Sequence, residues 1–209
     1  MTTPSLGLQK APAPGLKNPV HDAQKIFKVA MNALARPGSL QEMPELGLEV
    51  PAPLTQTVAA LALTLLDYDT PVYLDPALAQ EVDVVDYLRF HTGAPIVALA
   101  SDAAFALISD PAKMSAISGF AVGTDEYPDR STTLLIAVDD MTNTSGATLS
   151  GPGIKTETEF DAAPLSPAFW PQMIANQTLY PLGVDVLFAS PTHVAGLPRS
   201  SKISMKEAR

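Results

Sequence analysis

Apolar side chains recur at every third or fourth position through Ala23, Ile26, Phe27, Ala30, Met31 and Leu34, while Gln24, Lys25, Lys28 and Asn32 take the opposite side. That period predicts an amphipathic helix. Pro37 lacks an N–H and biases Arg36 away from helical ψ, so the helix stops there and Gly38 permits a reversal. Ser39 to Met43 reads as a short strand, 44–53 as a loop, and Leu54 to Leu66 as a second helix that ends at Asp67-Tyr68-Asp69. Thr70 to Leu74 is rich in β-branched and aromatic residues and predicts a strand with Pro71 at its beginning or edge.

Asp75-Pro76, Asp110-Pro111 and Ser166-Pro167 each put a capping side chain before a proline suited to the first helical position, which marks three helix starts. Pro95 to Leu99 and Thr132 to Val138 are continuous apolar runs, expected of strands covered on both faces. Ala147 to Ser150, Gly151-Pro152-Gly153 and the alternating Ile154 to Phe160 read as a hairpin. Val184 to Phe188 is a last strand before a turn-rich tail holding Pro191, Gly196 and Pro198. The pattern predicts an α/β fold: one domain over 20–201 with a central mixed sheet flanked by helices. Residues 1–19, with Pro4, Pro12, Pro14 and Pro19, read as a flexible arm, and 202–209 as a C-terminal tail.

Composition narrows the function. In 209 residues, 46% of them hydrophobic, there is material for a substantial core. Twenty-two acidic residues against 13 basic ones, a net charge of -9, argue against non-specific binding to nucleic acid or anionic membrane. With no cysteine, disulfides, thiolate metal sites and cysteine nucleophiles are excluded. The first ten residues have neither a basic leader nor an apolar segment, and Val58 to Leu66 is far shorter than the roughly 20 residues that cross a bilayer. A cytoplasmic protein is expected.

Few residues carry candidate chemistry. His21, His91 and His193 are scattered and predict no metal site. Ser150-Gly151-Pro152-Gly153 lacks the spacing and the terminal Lys of a phosphate loop, and neither a dinucleotide fingerprint nor a nucleophile elbow is present. Lys155 reads as a surface residue. Arg36, at the helix corner, either ties down open carbonyls or forms a carboxylate or phosphate clamp. His91, at the expected end of a helix, either caps carbonyls or serves acid–base work or anion binding. Asp185 opens a buried strand and needs a partner, which Arg199 can supply as a structural ion pair or as part of an active site.

Five stretches, in order, resemble the H-subunit family of the bacterial carbon-phosphorus lyase core complex. They are Phe27 to Gly38, Leu65 to Val72, Phe90 to Pro95, Leu149 to Ile154 and Tyr180 to Asp185. The resemblance implies an accessory, non-catalytic subunit that forms a homodimer or joins the G, I and J subunits in breaking down organic phosphonates. The step concerned joins an alkylphosphonate to the ribose triphosphate of ATP. It also implies a fold similar to pyridoxal-phosphate-dependent transferases without that cofactor, and it transfers no catalytic residue. The competing expectation is an independent site for a phosphonate or ribosyl-phosphate ligand, built from Arg36, His91 and Arg199, which requires those three to converge.

Overall fold

The computed structural model describes residues 11–205. Helix α1, Pro19–Ala35, starts on Asn18, whose side chain accepts from the His21 N–H, with Pro19 at the first turn. The proline assigned to the arm thus opens the helix, where a missing N–H costs nothing. After β1, Gln41–Glu42, and α2, Gln56–Leu65, the chain runs through β2, Val72–Leu74, into α3, Pro76–Ala79, and α4, Val82–Thr92. The short β3, Ile96–Val97, is followed by β4, Phe105–Ile108, and β5, Thr133–Ala137. A long hairpin of β6, Asp140–Ser150, and β7, Thr158–Ala163, leads to α5, Phe169–Gln177, and then to β8, Asp185–Ala189, β9, His193–Leu197, and β10, Lys202–Ser204.

Seven strands form the central sheet in the order β1-β9-β8-β5-β4-β2-β3. Strands β8, β5, β4, β2 and β3 are mutually parallel, and β9 runs against both β8 and β1. The expected mixed sheet is present. Alternate residues feed two separate cores, as the two-residue period of a strand requires. Leu107, Leu135, Ala137, Leu187 and Ala189 face α1, α2 and α4, while Ala106, Ile108, Leu134, Ile136, Val186 and Phe188 face the opposite layer. That second layer is α5 with a three-stranded antiparallel sheet, β10-β6-β7.

Several expectations need correction. In α1 the buried line is Ile26, Ala30 and Ala33, so Phe27 and Met31 lie one residue step, about 100°, off its centre and are 50% and 51% exposed. Pro95 to Leu99 is not a covered strand: β3 is a two-residue edge strand, half-buried, and Leu99 is exposed. The covered place on that side of β5 belongs to β4, flanked by β5 and β2. Asp110-Pro111 starts only a 3-10 turn, with the Asp110 carboxylate on Lys113 rather than on a backbone amide. Ser166-Pro167 precedes α5, but its first hydrogen bond runs from the Phe169 N–H to the Ser166 carbonyl, with no side-chain cap. The turn-rich tail contains β9, almost wholly buried in the central sheet, and Lys202–Ser204, placed beyond the domain, pairs with β6 as β10. Gly196 in β9 faces α1 so closely that a Cβ there would lie 2.5 Å from the Ala33 carbonyl oxygen. Glycine is what lets helix and strand meet.

Residues 11–18 run over the α1/α2/α4 side, where Ala13 and Leu16 pack against the core. The Ala13 carbonyl is held by His91. The first ten residues of the expected arm and 206–209 of the expected tail lie outside the described residues.

Candidate functional site

Arg199 follows β9 and lies between the beginnings of β8 and β5. Its Nε donates to both oxygens of Asp185 at 3.1 and 3.2 Å, and its Nη2 donates to Oδ2 at 2.5 Å. The same guanidinium donates through Nη1 to the Pro128 carbonyl at 2.6 Å and through Nη2 to the Ser131 hydroxyl. Its backbone N–H adds a further bond to Asp185 Oδ1 at 2.7 Å. Both side chains are largely buried. A forked donor engaged at all three of its nitrogens by a carboxylate, a carbonyl and a hydroxyl acts as a brace.

His91 lies in the last turn of α4, and its Nε2 donates to the Ala13 carbonyl at 2.8 Å. The bond fixes Nε2 as the protonated nitrogen. The carbonyl it holds belongs to residues ahead of α1; α4 itself is closed by Gly93 in the left-handed conformation, which donates to the Arg89 carbonyl. Its ring stands edge-on to Tyr87 and Phe90. Gly15 passes so close that a Cβ would sit 2.9 Å from His91 Nδ1. Arg36 closes α1 with its backbone, donating to the Asn32 carbonyl and accepting from Ser39. Its side chain is exposed.

These three candidates share no hydrogen-bond partner. Arg199 reaches Asp185, Pro128 and Ser131 at the beginnings of β8 and β5, whereas His91, on the helix that leads into the edge strand β3, holds the N-terminal run at Ala13. The structure brings Arg199 to Asp185; His91 is bound to Ala13, and the corner of Arg36 lies against β9, where the Gly38 N–H donates to the Gly196 carbonyl.

A different crevice opens at the carboxyl ends of β2 and β4, where successive strands are added in opposite directions and open α/β sheets commonly bind ligands. It has a volume of about 280 Å³, with Tyr73, Gln80, Lys113 and Phe120 among its walls. Asp75 lies at its base and is buried. The Asp75 carboxylate accepts from the N–H groups of Leu78, Ser109 and Asp110 at 2.9, 2.7 and 3.0 Å, and from the Ser109 hydroxyl. The amides that could cradle an anion are therefore filled by the chain's own carboxylate. On the rim, Lys113 bonds Asp110 at 2.7 Å, and that hydrogen bond and charge raise the amine above its usual range. Asp75-Pro76 announces a helix cap in the sequence, and Asp75 is one; its bonds to Ser109 and Asp110 depend on β2 lying beside β4, which no local signal encodes. Among the described residues no group of three or more His, Asp or Glu side chains is placed to hold a metal ion.

Residues 14–204 match the family model described as bacterial phosphonate metabolism protein (PhnH). The chain is 36% identical over 186 residues to the alpha-D-ribose 1-methylphosphonate 5-triphosphate synthase subunit PhnH of Rhizobium meliloti, an overlap of 89% of this chain and 92% of the relative. It is also 32% identical over 87 residues to HtxG of Stutzerimonas stutzeri, described as a proposed C-P lyase subunit protein, covering 42% of this chain and 45% of that one.

Proposed function

The chain belongs to the PhnH family of bacterial phosphonate metabolism proteins, and from that membership we propose that it is an accessory, non-catalytic subunit of a carbon-phosphorus lyase system. It works with the G, I and J subunits at the step that joins an alkylphosphonate to the ribose triphosphate of ATP. The observation that carries this reading is how the candidate chemical groups are used. Arg199, Asp185, Asp75 and His91 are each bound to the chain itself, bracing strands, loops and the N-terminal run. Such groups hold a shape and leave recognition to the surface.

Self-association is part of the proposal. Val20, Phe27 and Met31 form an exposed apolar line along α1, beside the buried one, and suit a contact with a second copy. We place the protein in the cytoplasm; among the described residues no helix is long and apolar enough to cross a membrane. Similarity to the pyridoxal-phosphate-dependent transferase fold without its cofactor also belongs to this reading, supported by the seven-stranded mixed sheet with its single reversed strand β9. The crevice residues do not fit that cofactor. Lys113 is exposed and held in its charged form by Asp110, whereas an imine needs a free amine, and Asp75 fills the nearby cradle of amides.

The test is co-expression with the G, I and J proteins, followed by size-exclusion chromatography with light scattering. The expected result is a stoichiometric particle containing this chain, with no turnover by the chain alone. A free homodimer beside an intact partner complex would overturn the reading.

A further inference from the structure

Between Val122 and Ser131 the chain forms a small closed hairpin in front of β5. The two ends are bridged, and Thr124 and Tyr127 exchange both backbone hydrogen bonds at 3.1 Å, leaving Asp125-Glu126 as the tip. Gly123, at φ +83°, takes the chain past Pro128, whose carbonyl oxygen would be 2.7 Å from any Cβ. From beneath, Arg199 holds the Pro128 carbonyl and the Ser131 hydroxyl. Tyr127, 48% exposed, stacks under the Arg130 guanidinium at 4.4 Å.

At the same end of the sheet, the segment ahead of β8 is tied to this hairpin by the bond from the Gly183 N–H to the Val122 carbonyl at 2.9 Å. That segment exposes Leu179 and Tyr180, the latter at 63%. This end of the sheet thus exposes Tyr127, Arg130, Leu179 and Tyr180, with the acids Asp125, Glu126 and Asp129 on the same hairpin as Tyr127 and Arg130. Tyrosine and arginine in a preorganised setting are the residue types that dominate binding energy, because little ordering remains to be done on association. The loop from 124 to 130 carries three acids against one base.

Resting on the accessory-subunit reading, we propose that this end of the sheet is the docking surface for another subunit of the complex, one presenting Lys and Arg side chains around an apolar centre. Charge chooses that occupant over a second copy. Two copies of a chain with net charge -9, facing each other through this acidic rim, would set like charges together. The exposed line of α1 remains for self-association.

The experiment uses the full chain co-expressed with the G, I and J proteins and three variants: Asp125→Lys with Glu126→Lys, Tyr127→Ala with Tyr180→Ala, and Phe27→Glu on α1 as the comparison. Each variant's melting temperature and secondary structure are checked first, and neither hairpin variant breaks the Arg199 brace. The expected result is that both hairpin variants bind the partner complex about tenfold or more weakly, that Phe27→Glu keeps its place in it, and that wild-type binding weakens as salt rises. Hairpin variants that co-elute as wild type does, or a loss confined to Phe27→Glu, would overturn the docking surface. Failure of the wild-type chain itself to co-elute would instead overturn the accessory-subunit reading, and the docking surface with it.

Discussion

Tyr87 is fully buried in α4, and its hydroxyl has no hydrogen-bond partner among the described residues. Burial pushes its ionisation above the usual phenol range. A group that holds its proton more tightly when folded supports the fold below its unfolded pKa, near 10, and that support is lost as the pH rises beyond it. Tyr87→Phe removes an unpaired polar atom from an apolar site, so we expect stability unchanged or raised by up to about 1 kcal/mol at pH 7, and a weaker decline above pH 10. Urea unfolding at both pH values checks this. Arg199 is the opposite case. Arg199→Ala leaves the largely buried Asp185 carboxylate without its fork and should cost about 3 kcal/mol; Arg199→Lys recovers only part, because an ammonium cannot make the forked contact.

At the level of elements, the contact of α1 with β9 turns on Gly196. Gly196→Ala would press a methyl into the Ala33 carbonyl, a backbone atom that cannot swing aside, and should cost about 1–3 kcal/mol, read as a lower thermal midpoint. His91→Ala frees the Ala13 carbonyl with little effect on the core. Its expected signature is faster proteolysis within residues 11–17 at nearly unchanged global stability. These elements differ in how plainly the sequence writes them. The α1 and α2 helices, β5, β8 and the β6/β7 hairpin follow from periodicity and apolar runs. Strand β9 does not: Pro191, Gly196 and Pro198 read as turns, yet the first and last only bracket the strand and the glycine is there for packing. Phe27 and Met31 mislead in the other direction, since an apolar period counts residues without saying which flank meets the core.

For the whole molecule, class and mixed sheet were legible because apolar runs long enough to be covered on both sides alternate with helical periods. Strand order was not, since it is fixed by which runs meet after crossover, and the cradle around Asp75 exists only once β2 lies beside β4. The same limit applied to the candidate site. Arg199 and Asp185 come together because β8 and β9 pair antiparallel, while His91 is carried to the far edge. Two-faced burial has a measurable counterpart. Leu135→Ala and Phe188→Ala open cavities on opposite sides of one sheet, each costing about 2–5 kcal/mol, and both should lower a single cooperative transition if the two layers unfold together.

The seat of α1 on β9 also has a consequence in time. Ala33 leaves the ribosome long before Gly196 is made, so the first helix can meet α2 early but lacks the strand that Ala33 packs on until most of the chain has been translated. Strand β1 waits for the same partner. Folding of the nascent protein is therefore completed from its late-synthesised end, and while translation proceeds the early segment depends on chaperones or transient collapse for protection.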